Sequence, residues 1–167
     1  MKQCLTFFFA TFSIVALAQT TNSCACCTPN HSQFDFWVGN WQVTDTAGNV
    51  LGTNRVEKHY DKCIVQENWQ STQVNRGTSF NYFQSSDSTW NQLWLDNQGS
   101  ILNLKGSWNG NAMELQSAMT KNAKGIVIYH QISWTPQTDG SVIQLWEVFD
   151  ENNQKINELF RGIYRRK

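Results

Sequence analysis

Beyond residue 39 the chain alternates apolar and polar residues in short runs, the period-two signature of half-buried strands. The runs are Asn40–Asp45, Val50–Tyr60, Cys63–Ser71, Gly77–Gln84, Thr89–Asp96, Ser100–Trp108, Asn111–Met119, Gly125–Thr135, Ser141–Asp150 and Ile156–Arg166. Turn-forming groups separate them, among them Ala47-Gly48-Asn49, Asn97-Gln98-Gly99 and Thr138-Asp139-Gly140. Asn109-Gly110 is the strongest hairpin signal, because both residues tolerate positive φ. No segment holds a helical period long enough for a major helix. Regularly spaced short strands of this number predict an all-β fold, a roughly ten-stranded antiparallel meander closed on itself so that no edge is left unpaired.

The stretch Phe34-Asp35-Phe36-Trp37-Val38-Gly39-Asn40-Trp41 precedes the first strand. Asn30 followed by Gln33 has the spacing of a capping box, so a single turn of helix is expected to begin there. Phe34, Phe36 and Trp37 then press inward as a plug, and everything downstream closes around Trp41.

The alternation also sorts side chains by face. Trp90, Gln92, Trp94 and Asp96 share one face of their strand, against Asn91, Leu93 and Leu95. Gln144 and Trp146 share another, as do Glu67 and Trp69, and as do Ile126, Ile128, His130, Ile132 and Trp134. A large aromatic thus recurs two residues from an amide or acid. A dry core uses Leu, Ile, Val and Phe. Indole, amide and carboxylate groups cost several kcal/mol each when buried without partners. An interior built from them bonds to itself, holds water or holds a ligand. The candidate ligand-binding set is Glu67, Trp69, Asn81, Trp90, Gln92, Trp94, His130, Gln144 and Trp146, aromatic walls with a few placed polar groups. Two other readings stay open. The polar set fills a narrow barrel and satisfies itself, or the faces are reversed, with Leu93, Leu95, Leu102, Leu104, Ile143 and Leu145 inside.

The N-terminus reads as a targeting signal. Lys2 precedes an apolar run, Leu5–Leu17, too short to span a bilayer comfortably, and Ala16-Leu17-Ala18 has the small-x-small form of a cleavage site. The expected organisation is a signal peptide over 1–18, a cysteine-rich tail over 19–33 tethered by disulfides, and one barrel domain over 34–167, in the periplasm or secreted. Cleavage would leave 149 of 167 residues, enough for one full core. It removes one of 13 basic residues and none of 13 acidic ones, for a formal charge of −1. That argues against nucleic acid, which needs a basic surface. No later stretch is apolar enough for a membrane span, and Arg165-Arg166-Lys167 reads as a solvated tail. The oligomeric state is not set by the sequence.

Export implies oxidised cysteines. Cys24, Cys26, Cys27 and Cys63 allow three pairings. The one joining adjacent Cys26 and Cys27 is strained, and the other two tie Cys63 to Cys26 or Cys27. A thiolate metal site in Cys-x-Cys-Cys lacks the second pair that structural zinc requires. No metal and no cofactor are expected. No nucleophile motif, phosphate loop, metalloprotease motif or dinucleotide fingerprint is present. His31 is expected to be exposed and His59 to sit beside a turn. His130, on an apolar face, is a hydrogen-bonded core residue or, alternatively, an axial haem ligand. An acid pair such as Glu67 with Asp96 could serve acid–base chemistry if the two approach closely.

At Gly39-Asn40-Trp41 the chain resembles the calycin superfamily of lipocalins, fatty-acid-binding proteins and nitrobindin-like barrels. The resemblance implies a lipocalin-like barrel whose first-strand tryptophan packs at the closed end under an arginine from near the end of the barrel. Arg161, in Leu159-Phe160-Arg161-Gly162-Ile163-Tyr164, is the matching candidate. Phe34–Trp41, Trp90–Asp96 and Asp139–Trp146 also resemble a bacterial family of secreted domains of unknown function. The nitrobindin-like group implies haem. The expected function is therefore an exported barrel that binds a small, partly apolar molecule, with a haem protein or a ligandless interaction module as the alternatives.

Overall fold

A computed structural model describes residues 24–167. The signal peptide read over 1–18, and residues 19–23 of the tail, lie outside the described residues. Two short 3-10 turns, Asn30–Ser32 and Asp35–Trp37, lead into eleven strands. These are β1 Gly39–Thr44, β2 Val50–His59, β3 Ile64–Ser71, β4 Arg76–Gln84, β5 Thr89–Asp96 and β6 Ile101–Trp108, then β7 Met113–Gln116, β8 Thr120–Lys121, β9 Val127–Pro136, β10 Val142–Asp150 and β11 Lys155–Arg166. Ten of them form a closed antiparallel barrel. β1 to β7 pair in sequence, β7 pairs with β9, then β10 and β11 follow, and β11 returns to β1. The two-residue β8 pairs only with the start of β9. The alternating runs form strands because their inward positions share one core and their outward ones face water.

The interior has three tiers. At the closed end the plug residues Phe34 and Trp37 are fully buried among Trp90 and Trp134, with ring centroids 4.9–5.5 Å apart. Phe36 packs against Trp108. The turn at residue 30 is present, but its N-cap is Pro29, Thr28 Oγ1 accepts from the His31 amide at 3.4 Å, and Gln33 Nε2 donates to Asn30 Oδ1 at 3.4 Å. Trp41 anchors the tier, its indole donating to Trp37 O at 2.9 Å. Above the plug lies a polar tier of Asn54, Glu67, Ser79, Asn81, Gln92 and Gln144, all buried. The third tier is open and carries the cavity described below.

Four expectations are corrected. The arginine over Trp41 is Arg166, 4.5 Å from the ring centroid, and not Arg161. Register decides this, because β1 pairs Trp41 with Arg166, while Arg161 lies on the outer face bonded to Glu158. Arg166 Nη1 also donates to Val38 O at 3.1 Å, and a side chain at Gly39 (φ 151°) would strike its guanidinium. The basic C-terminus is therefore largely strand, with Arg165 bonded to Thr44, rather than a solvated tail. His31 is buried, not exposed. Its ring meets Phe83 edge-on and bonds Thr28, and its carbonyl accepts from Lys58, which also pairs with Asp35. Finally, Leu102 and Leu104 do not oppose the tryptophans. They lie directly across from Trp94 and Gln92, and antiparallel partners point to the same face.

The cysteines form Cys24–Cys27 and Cys26–Cys63, so the second bridge ties the tail to the start of β3. No described helix is long and apolar enough to cross a membrane.

Candidate functional site

A cavity of about 240 Å³ opens at the end of the barrel opposite the plug. Its mouth carries Asn75 and Asp96, beside the β3–β4 and β5–β6 turns, and the half-exposed Leu159. Trp69, Trp94, Trp146 and Phe160 form aromatic walls with Leu102 and Ile132 between them. Glu67, Gln92, Gln144 and Tyr164 form the floor.

The walls are held by glycines. A Cβ at Gly77 would overlap the Trp94 ring, one at Gly52 the Trp69 ring, and one at Gly162 the Phe160 ring. Each ring thus occupies space beside a glycine that a side chain would fill, and the bare backbone lets it approach closely. Trp69 and Phe160 meet edge to face with centroids 6.0 Å apart. The Trp94 indole donates to Asp96 at 3.4 Å and the Trp146 indole to His130 Nδ1 at 3.0 Å.

The floor is a directed hydrogen-bond network. Asn81 Nδ2 donates to Val65 O at 3.0 Å, and a carbonyl only accepts, so the orientation of the Asn81 amide is settled. Its Oδ1 accepts from Gln92 Nε2 at 2.8 Å, and its Nδ2 also reaches Ser79 Oγ at 2.9 Å. Ser79 then donates to Glu67 Oε2, and Asn54 donates to Glu67 Oε1, both at 2.7 Å. Tyr164 donates to Gln144 Oε1. Burial pushes the Glu67 carboxyl up to about 7, against hydrogen bonds from Ser79 and Asn54 that pull it down. Burial and the neighbouring Glu67 charge push the Tyr164 hydroxyl well above its ordinary value. Asp96 behaves differently. Burial raises it, but the Ser100 and Gln98 amides, Trp94 and Asn75 outweigh that and hold its carboxyl below the usual range.

Of the nine residues expected to bind, six line the cavity: Glu67, Trp69, Gln92, Trp94, Gln144 and Trp146. Asn81 lies beneath the floor, bonded to Gln92. Trp90 belongs to the plug tier, its indole bonded to Gln33 at 3.1 Å. His130 stands behind Trp146, outside the lining. Its Nδ1 is occupied by the indole, and burial holds its pKa below the ordinary value. Among the described residues no histidine lines the cavity, so the lining does not fit a histidine-ligated haem. Among the described residues no cluster of three or more His, Cys, Asp or Glu is placed to hold a metal. Glu67 and Asp96 do share the cavity, one in the floor and one at the mouth. Asp96, held by four donors, is a turn-forming anion rather than a free acid.

Sequence reasoning missed Asn54, Ser79 and Tyr164, the floor's other members, and Phe160 in the wall. The available signal was parity. Asn54 stands two residues from Gly52, and Tyr164 and Phe160 each two from Gly162. No protein-family model matches the chain, and no curated protein matches it in sequence.

Proposed function

We propose that the protein is an exported, calycin-like barrel that binds a small, partly apolar molecule in the cavity at its open end. The observation that carries this is the lining, in which aromatic rings seated on glycines surround a floor of amides and one carboxyl. Preformed apolar walls with a few convergent polar groups are the usual make-up of a small-molecule site. The two disulfides support an oxidising compartment. Arg166 over Trp41 supports the calycin kinship, since it supplies the cation over the indole that the likeness implies. A ligandless interaction module accounts for the self-bonded floor but not for the open space above it.

Native mass spectrometry of the protein purified from its exported compartment tests the reading. A retained small molecule, lost in Trp94→Ala while the fold persists by circular dichroism, is the expected result. A molecule retained equally by wild type and Trp94→Ala would place binding elsewhere and overturn it.

A further inference from the structure

The lining also specifies charge, and this step rests on the binding reading above. Among the described residues the ionisable groups around the cavity are Glu67, Asp96 and Tyr164, and no lysine, arginine or histidine lines it. Among the described residues Glu67 has no cationic partner. Its two oxygens each accept one neutral donor, from Asn54 and Ser79, and a carboxylate has lone pairs for more. The chain Gln92 to Asn81 to Ser79 to Glu67 runs with every donor pointing toward the carboxylate, an arrangement suited to an anion. The same chain spends the Gln92 amide N–H₂ on Asn81 and leaves Gln92 Oε1 as an acceptor at the floor. On the walls, the Trp94 and Trp146 indole N–H groups are turned to Asp96 and His130. What those rings offer a guest is their π faces, which attract cations.

We propose that the cavity takes a small organic cation, an ammonium carried on an aromatic or alkyl body, with Glu67 as its counter-ion and the indole faces of Trp69, Trp94 and Trp146 around it. The ammonium N–H groups meet Glu67 and Gln92 Oε1, and the apolar body fills the space toward Leu102 and Phe160. Asp96 at the mouth adds a second negative charge on the way in.

The groups facing Glu67 leave it as the lining's titrating member near neutrality. Asn54 from β2 and Ser79 from β4 bond it, Gln92 from β5 and Gln144 from β10 line the same cavity, and none of these ionises. Tyr164 from β11 is held neutral, Asp96 is held ionised, and His130 behind Trp146 is held below its ordinary range. Affinity for a cation therefore rises as pH rises through about 7.

Three probes of one shape decide the matter: 2-phenylethylammonium, neutral 2-phenylethanol and anionic phenylacetate. Each is titrated against the intact, disulfide-bonded protein by quenching of tryptophan fluorescence, from below neutral pH to above it. The ammonium is expected to bind at least about tenfold more tightly than the alcohol above neutrality, since one pK unit of charge preference is tenfold. The phenylacetate is expected to bind weakest. The ammonium's advantage should shrink as pH falls, while the alcohol's affinity stays flat. In Glu67→Gln the advantage should disappear and the alcohol should still bind, which also shows that the variant is folded. Equal binding of ammonium and alcohol in the wild type overturns the cation assignment and leaves the cavity reading standing. Preference for phenylacetate overturns it as well. Failure of all three probes at millimolar concentration overturns both readings.

Discussion

Glu67 makes a prediction about stability that is independent of any ligand. Its carboxyl is buried in the cavity floor, and burial pushes it up to about 7, against an ordinary value of 4.5. The folded state therefore holds this proton more tightly than the unfolded chain does. Below 4.5 both states are protonated and nothing is lost. As pH rises through the interval the unfolded chain releases its proton first, and stability falls until the folded carboxyl has also ionised, just above 7. At 1.36 kcal/mol per unit, the full loss is about 3 kcal/mol. Glu67→Gln keeps the size and removes the charge, so it should abolish this fall. The new amide has one N–H₂ to place beside Ser79, whose lone pairs already serve Asn81, and that costs back about 1 kcal/mol. Above neutrality the variant should thus be the more stable protein by about 2 kcal/mol, or roughly 5 °C in Tm for a domain of this size. Urea denaturation of both proteins across the interval, disulfides intact, reads the difference directly. Taking the difference also removes other titrations. His130 works in the opposite sense, because its depressed pKa makes stability fall as pH drops, and it is present in both proteins. Parallel curves, or a wild type whose lead widens with rising pH, would refute the account of Glu67 as a desolvated acid.

Two further outcomes follow from the fold. Arg166→Ala removes both the cation over Trp41 and a donor to Val38, and should cost about 1 kcal/mol in urea denaturation. Arg161→Ala breaks only an exposed pair with Glu158 and should cost at most about 0.5 kcal/mol, and the reverse ranking would contradict the register of β11 on β1. Gly77→Ala places a methyl under the Trp94 ring and should lift that wall, with a stability loss of about 1–3 kcal/mol. The near-ultraviolet circular dichroism of the tryptophans should change with it, and an unaltered spectrum at full stability would mean the ring is not seated on the glycine.

The barrel was legible because its signals are local. Turn residues punctuate the chain where the strands end: Asn109 Oδ1 accepts from the Asn111 and Ala112 amides, and Gly110 takes φ 95°. Parity within a strand likewise brought six of the nine proposed site residues to one cavity. The errors arose where the answer depends on how strands meet. Arg161 and Arg166 are both inside the last strand, and only the pairing of β11 with β1 selects between them. That pairing joins the first strand to the last, so no local turn in the sequence fixes its register. The reversed-face alternative set Leu102 and Leu104 against the indoles for the same reason, since facing across strands cannot be counted within one. His31 is buried because the bridge at Cys26–Cys63 and the pairing of Lys58 with Asp35 fold the tail over the closed end.

The polar tier was the least legible part, and it is also where the physics is least like a core. Asn54, Ser79 and Tyr164 are unexceptional residues in their strands, and nothing local marks them as partners of Glu67. Brought together, they satisfy the carboxylate's two oxygens yet do not offset its burial, because a neutral donor on each oxygen is weaker compensation than a cation. A barrel needing only to be stable is better served at position 67 by an apolar side chain, as replacing buried charge with hydrophobic volume is often neutral or stabilising. Natural proteins retain such costs where activity requires them. Glu67 is the buried carboxyl in the floor of the aromatic-walled cavity. The carboxyl destabilises the empty barrel at neutral pH, and the missing favourable term is a positive charge that no described residue supplies. The proposed cationic guest would supply it, and on that proposal the stability deficit of the empty protein and the selectivity of the cavity have a single cause.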